Sequence, residues 1–506
     1  MAPNTLYDLL LEAAGRHGSH TAIEFGDRRL TYDGLRDAAD RLAGLLIDRD
    51  VGSGQCVAFC FRKSIDAIIA LFAIIRTGAT YVPLDPAWPA DRLSTICEDA
   101  DIRLWLGTAP PPAGVAGAEA AIVSAPDSSN AVRLASWESH DPAGQAPEPP
   151  RDGLANILYT SGSTGRPKGV RITTRSLLHL SEWAVDTFDL SPADRMANHA
   201  PYNFDISTLD IFGAVRAGAT MCPVPESTRM FPYQTAKFIA DRRITVWYSV
   251  PSALIMMQLR GSLPEHDLSS LRHVLFAGEV MPKPALKAIA QAIPQATPAN
   301  LFGPTETNVC TWHRVEEADL CTDTPLPIGR PIRQTRIWIM NEQGVPVDQG
   351  QAGELWVAGP TVTDGYFGDA ALTASRLVPA PDGSGRAYRT GDRVRARADG
   401  VLLFEGRIDR MIKCRGHRIE PGEVEAVLLK HPEIREAAVV PVPDPVFGNR
   451  LRACVALGEG CAPDERAFRE FCGRHLPVYM LPDEWAFFDS LPRTDRDKVD
   501  LQRLMR

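Results

Sequence analysis

Between Tyr159 and Val170 the chain reads YTSGSTGRPKGV, its densest run of phosphate-binding chemistry. Hydroxyls at Thr160, Ser161, Ser163 and Thr164 are interleaved with Gly162 and Gly165, and Lys168 follows. Glycines let a backbone approach a phosphate closely, while amides, hydroxyls and an ammonium satisfy its oxygens. A Walker loop needs Gly-x4-Gly-Lys-Ser/Thr. Here Pro167 precedes the lysine and Gly169 follows it, so this loop is of another kind. Taken alone, the run has a polar surface turn as its plainer, lesser reading. No His-Glu-x-x-His, Cys-x-x-Cys or paired Cys/His ligand spacing accompanies it, so a metal caged by protein ligands alone is not expected.

The elements that must position this loop alternate between helical and strand patterns, the signature of an α/β layered fold. Residues 55–62 (QCVAFCFR) read as a buried strand. Ser64 caps the helix after it, Gly78 stops that helix, and residues 80–83 return to an extended course, which predicts a βαβ unit. Two Pro/Ala/Gly-rich stretches, 108–118 and 141–152, read as surface excursions from one domain. Near Gly406 the texture changes. The basic run GRIDRMIKCRGHR precedes an amphipathic helix over 421–430, a strand over 436–442, a helix over 464–475 and a strand-like segment around Trp485. That is a small α+β unit of about 100 residues, enough for a domain of its own.

Composition narrows the setting. The 506 residues are 44% hydrophobic and 23% charged, the balance of a folded chain with a large core. Lys plus Arg number 54 against 63 Asp plus Glu, a net charge of −9, which argues against nucleic acid or an anionic membrane as a partner. The longest apolar run, Ala67 to Ile75, is under half of the roughly 20 residues a membrane span needs. No signal peptide opens the chain, and ten scattered cysteines read as reduced thiols of a cytoplasmic protein.

The phosphate loop has company. LTY from Leu30 to Tyr32 and RTGATYVPLD from Arg76 to Asp85 lie before it; NFDIS from Asn203 to Ser207 and NLFGPTE from Asn300 to Glu306 follow. Then come Gly353-Glu354-Leu355, Gly365-Tyr366, YRTGD from Tyr388 to Asp392, GRID from Gly406 to Asp409, Arg415-Gly416, LPVYM from Leu476 to Met480, and Lys498-Val499-Asp500. In this order and at these separations the blocks resemble the adenylate-forming enzymes, specifically the amino-acid adenylation domains of nonribosomal peptide synthesis. The resemblance covers nearly the whole chain. It implies an α/β fold with a large N-terminal core over 1–408, made of layered sheets and helices, and a small mobile α+β C-terminal domain over 409–506.

It also implies ATP with Mg²⁺ and a two-step reaction. A carboxylate attacks the α-phosphorus of ATP, and a thiol then takes the acyl group. The nucleophile of the first step is already anionic, so positioning and charge stabilisation carry the chemistry. By resemblance, Thr160, Ser161, Gly162, Ser163, Thr164, Gly165 and Lys168 grip the pyrophosphate portion. Thr305 and Glu306 lie by the α-phosphate, with Glu306 the Mg²⁺ ligand. Phe302 stacks on adenine and Phe404 lies near the ribose, each standing where the family usually has Tyr. Asn300, Gly278 and Glu279 line the adenine edge, Asp392 binds the ribose hydroxyls, and Arg407 contacts the nucleotide. Lys498 matches the catalytic lysine of adenylate formation, although Arg496 and Asp497 replace the Asn-Gly that usually precedes it. Asp409 falls at the family's hinge, or else caps a turn. Rotation there would withdraw Lys498 and bring Lys413 and Gly416 to form the thiol tunnel.

Asp205 separates the competing readings. In amino-acid-activating members an Asp here pairs with the substrate α-ammonium; a coenzyme A ligase for fatty or aryl acids lacks it. Its plainer role is to cap a helix over 207–212. An inactive nucleotide-binding homologue would show damage at Lys168, Glu306, Asp392 or Lys498, and none is damaged. Ungapped counting places Asp205, Ile206, Leu209, Ser252, Leu275, Ala277, Leu301, Val309, Cys310 and Lys498 at the family's ten pocket positions. Apart from Asp205 and Lys498 none is charged, so a charged substrate side chain would be buried unpaired, and the leucines leave little space for an aromatic one. The set resembles that of proline-activating enzymes that feed pyrrole formation, except that Ser252 stands for a larger residue. The expectation is a small neutral α-amino acid, L-proline first and L-alanine-sized substrates second. The expected acceptor is the phosphopantetheine of a separate carrier protein, with free coenzyme A the alternative.

Overall fold

A computed structural model describes residues 3–113, 115, 119–122, 141–142, 153–162, 165–322, 324–444, 448–494 and 498–505. Most of the excursions expected at 108–118 and 141–152 therefore lie outside the described residues, as do Ser163, Thr164, Arg496 and Asp497.

The predicted βαβ unit forms as expected. Strand Cys56–Cys60 is buried throughout, and the Ser64 hydroxyl accepts from the Ala67 amide to start helix Ile65–Thr77. Gly78, at φ 79°, ends the helix in the left-handed conformation that glycine adopts freely. The chain then returns as strand Thr80–Pro83, parallel to the first. The helix is buried on nearly every side, because it lies between two sheets rather than on a surface.

Those sheets are the six-stranded one containing this unit and a nine-stranded one. At the centre of the latter, strands Thr220–Pro223, Arg195–Asn198, Val246–Ser249, His273–Phe276 and Thr297–Phe302 run parallel. One apolar cluster joins side chains from both sheets and the helices between them; Phe72 and Phe212 meet there edge to face at 6.1 Å. Parallel strands place ligand sites beyond their carboxyl ends. Here those ends carry residues 199–205, 277–279 and 303–309. A five-stranded antiparallel sheet over residues 336–407 packs against this body.

Residues 412–504 build cores of their own around Phe468 and Val440. Helix Pro421–Leu428, strand Ile434–Asp444, helix Glu465–His475 capped by Asp464, and strand Glu484–Phe488 match the expected series within about two residues, the ordinary uncertainty of element ends.

Candidate active site

The phosphate loop is the turn of an antiparallel hairpin. Strand Leu154–Thr160 pairs with Lys168–Thr173 in a register that sets Thr160 opposite Lys168. Gly162 has to be glycine, since a Cβ there would sit 2.1 Å from the Arg166 carbonyl oxygen. The Thr160 hydroxyl is buried without a partner, as expected of a group that awaits a ligand oxygen. Lys168 lies 3.4 Å from Glu306, and burial pushes its ammonium down to about 8.

Glu306 is fully buried at the centre of a charge cluster. Arg418 clasps its carboxylate with one nitrogen at 3.0 and 2.9 Å, and the Tyr366 hydroxyl donates to it at 2.7 Å. Burial opposes its charge, but Arg418 and Lys168 together hold the acid well below the usual carboxylate range. Among the described residues no group of three or more His, Cys, Asp or Glu could hold a metal. One carboxylate beside a phosphate loop does fit a hard cation that takes most of its ligands from phosphates and water. In the present arrangement that carboxylate faces Arg418 instead, so such an ion fits only once Arg418 moves away.

Arg418 arrives from the C-terminal unit, on strand His417–Ile419. The Ser161 hydroxyl donates to the Arg418 carbonyl at 2.7 Å, and the Gly162 amide donates to Glu423 at 3.3 Å. Glu423 also pairs with Arg92, both nearly inaccessible. On the other side, the Gly416 amide donates to Glu279 at 2.5 Å. Gly416, at φ 80°, leaves no space for a Cβ against Val250. Burial raises the Glu279 acid.

Next to this lie the residues expected at the nucleotide. Phe302 and Phe404 face each other with ring centroids 5.8 Å apart, and the Lys413 ammonium sits over both. Burial lowers the Lys413 ammonium, against the pull of Asp392. The Asn300 amide is spent on the Pro327 carbonyl at 2.8 Å, and Gly278 takes φ 95°. Arg407 donates to Asp392 at 2.7 Å and grips Asp409 through two nitrogens. The second oxygen of the buried Asp392 carboxylate has no partner, which suits a ribose hydroxyl donor.

A cavity of about 100 Å³ opens from the phosphate loop into the N-terminal body. Of the ten expected pocket positions, Asp205, Ile206, Ala277 and Val309 line it. Leu209, Leu275, Leu301 and Cys310 are buried in the same apolar cluster as Ile206, Ala277 and Val309. Thr305 lines it too, and its hydroxyl lowers the Asp205 acid while burial raises it. The Asp205 carboxylate accepts from the Ile206 amide at 2.8 Å. It is the cap of helix Ile206–Ala217 as well as a cavity residue.

Two expected positions lie apart from this cavity. Ser252 lies in the first turn of helix Pro251–Arg260, its amide held by Glu279 at 3.0 Å, and it lines a separate cavity with His199 and Arg415. Tyr248 lines the amino-acid cavity instead. It is buried and in register with Leu275 on the neighbouring parallel strand, so the two side chains share a face. Lys498 is exposed and outside the cavity, its carbonyl accepting from the Thr494 amide at 2.7 Å. Its place is set by the C-terminal unit, which presents Lys413 to Arg418 to the site instead. Sequence reasoning missed Tyr248, Arg418, Tyr366, and the ring pair His417 and Tyr479, stacked at 3.7 Å. An alternation count along strand 246–249 would have found Tyr248; Arg418 sat in the basic run already noted.

With this geometry in hand, the chain belongs to the family of AMP-binding enzymes. The model of that family matches residues 10–367, and that of the AMP-binding enzyme C-terminal domain matches 423–498. The chain is an adenylate-forming ligase. It is 38% identical to an L-proline–[L-prolyl-carrier protein] ligase of Pseudomonas fluorescens, with 99% of each chain covered. A protein of the same description from Streptomyces coelicolor is also 38% identical, over 97% of this chain and 94% of the other. Among solved structures, an NRPS protein containing adenylation and PCP domains, bound to a vinylsulfonamide inhibitor, superposes with a TM-score of 0.84 at 26% identity, covering 99% of this chain and 84% of that one.

Proposed function

We propose that the protein activates a small neutral α-amino acid, L-proline first, as its adenylate and passes it to the phosphopantetheine thiol of a carrier protein in natural-product biosynthesis. The observation that carries this reading is the Asp205 carboxylate, half-buried on the cavity wall, held by the Ile206 amide and the Thr305 hydroxyl, with no cation among the described residues at hydrogen-bond distance. An α-ammonium would complete it; a fatty or aryl acid would leave it uncompensated. The corrected wall supports the choice of side chain. Tyr248 on the wall narrows the pocket, and a large residue there suits the proline-type set better than Ser252 does. The two proline ligases at 38% identity support the same choice.

In the first step an oxygen of the amino-acid carboxylate bonds to the α-phosphorus as pyrophosphate leaves. Thr160, Gly162 and Lys168 hold the leaving oxygens, and Lys498 offsets the charge between nucleophile and phosphate. Glu306 would hold Mg²⁺, which when bound would supply further neutralisation of the phosphate charge. In the second step the thiol sulfur bonds to the carbonyl carbon and AMP leaves. The present arrangement, with Lys413 to Arg418 in the site and Lys498 outside, suits this step. We place the division of the chain at 408/409, with Asp409 the hinge, and the protein in the cytoplasm. Its ten cysteines are free, and among the described residues no helix is long and apolar enough to cross a membrane. Pyrophosphate exchange measured across the twenty amino acids tests the reading: L-proline should lead, and a preference for a charged or aromatic amino acid would overturn it.

A further inference from the structure

Behind the amino-acid cavity lies a buried lysine that neither half-reaction uses. Lys63 follows strand Cys56–Cys60 of the six-stranded sheet and is 5% exposed. Its side chain crosses to the carboxyl edge of the nine-stranded sheet. There the ammonium donates to the Asn198 side chain and, at 2.5 Å, to the Ala200 carbonyl, and it sits 3.9 Å from the centre of the Tyr202 ring. Asn198 donates in turn to Asp210 at 3.2 Å, and Asp210 is itself buried on the helix that Asp205 begins. The Lys63 backbone amide donates to Glu226 at 3.2 Å.

A lysine is kept out of water only at considerable cost, unless its charge is matched by well-placed acceptors. Every acceptor that this ammonium uses, side chain, carbonyl and ring face, lies in one stretch, residues 198–202. The next three residues, Asn203, Phe204 and Asp205, line the cavity. The loop leaves a strand end and enters a helix, and Lys63 bridges both flanks, one directly and one through Asn198 and Asp210.

We propose that Lys63 is a positioning residue for amino-acid recognition, fixing the 198–205 loop so that Asp205 meets the substrate α-ammonium. This rests on the reading of Asp205 given above. Lys63 touches no substrate; it acts through the loop. A purely structural lysine would, when lost, weaken everything the fold supports. A positioning lysine weakens the amino-acid side selectively, because the residues assigned to ATP lie outside the 198–205 loop, on the phosphate hairpin, at 278–279 and 300–306, and on strands 386–396 and 402–407.

The test uses the full chain and pyrophosphate exchange, with KM taken separately for L-proline and for ATP, alongside thermal unfolding. Lys63→Met keeps the length and removes the donors. It should raise KM for L-proline by about ten-fold or more, as expected for a lost charged hydrogen bond, with KM for ATP nearly unchanged. It should also shrink the preference for L-proline over its carbocyclic analogue, cyclopentanecarboxylate. Lys63→Arg should recover most of both. Should Lys63→Met not fold, Asn198→Ala removes one arm of the bridge and should give a smaller shift of the same selective kind. Parallel increases in both KM values, or no change in either, would overturn the proposal. A wild-type enzyme showing no amino-acid-dependent exchange would instead overturn the reading beneath it.

Discussion

At the residue scale the site is a set of charges whose partners are only partly present. Asp205 is the clearest case. Burial raises its acid above the ordinary value, so it takes up a proton at a higher pH than an exposed aspartate. Only the ionised form pairs with an ammonium. KM for the amino acid should therefore climb as pH falls through the raised Asp205 value, while KM for ATP stays flatter. Asp205→Asn should start with KM raised about ten- to a hundred-fold and lose that pH dependence; a matching pH profile in the variant would assign the titration elsewhere. Tyr248 sets the volume beside it. Tyr248→Ala should open the wall and move the exchange preference toward larger apolar amino acids, whereas an unchanged order of substrates would remove Tyr248 from the pocket.

At the scale of elements, the hairpin register explains why a loop without a Walker pattern can still hold phosphate: Thr160 and Lys168 are brought opposite each other, and Gly162 lets the turn close on Arg166. Gly162→Ala puts a methyl against a carbonyl oxygen, so the loop must open. KM for ATP should rise by about ten-fold or more while the unfolding temperature scarcely moves, because the strands remain paired; equal ATP kinetics would deny the loop its role. Local signals such as the Ser64 cap, the Gly78 stop and the helix after Glu420 were legible in the sequence because each is written within a few neighbouring residues. The Tyr248 position was not. Ungapped counting ran past the end of a strand into the next helix, and a four-residue slip exchanges one cavity for another.

For the whole molecule, the contacts between the two units are the part that sequence could not supply, since Arg92 with Glu423 and Glu306 with Arg418 pair residues far apart in the chain. In this arrangement Glu423 takes the Gly162 amide and Arg418 takes the Glu306 carboxylate, groups that ATP with its metal ion would need. If ATP uses these groups as proposed, a bound triphosphate competes with this arrangement. Arg92→Met should weaken this arrangement, leaving exchange intact or faster while slowing transfer from a supplied adenylate to the carrier thiol. Lys498→Ala should do the reverse, losing orders of magnitude in exchange and sparing transfer. Equal effects on both steps in either variant would count against alternation of the two units.

The central claim is that this cavity selects an α-amino acid through its ammonium, and pyrophosphate exchange with L-proline beside its carbocyclic analogue, cyclopentanecarboxylate, tests it most directly. The two differ little in shape and share the carboxylate that attacks ATP. Exchange that is strong with L-proline and near background with the analogue is the predicted result. Comparable exchange with both would contradict the account, because Asp205 would then read nothing.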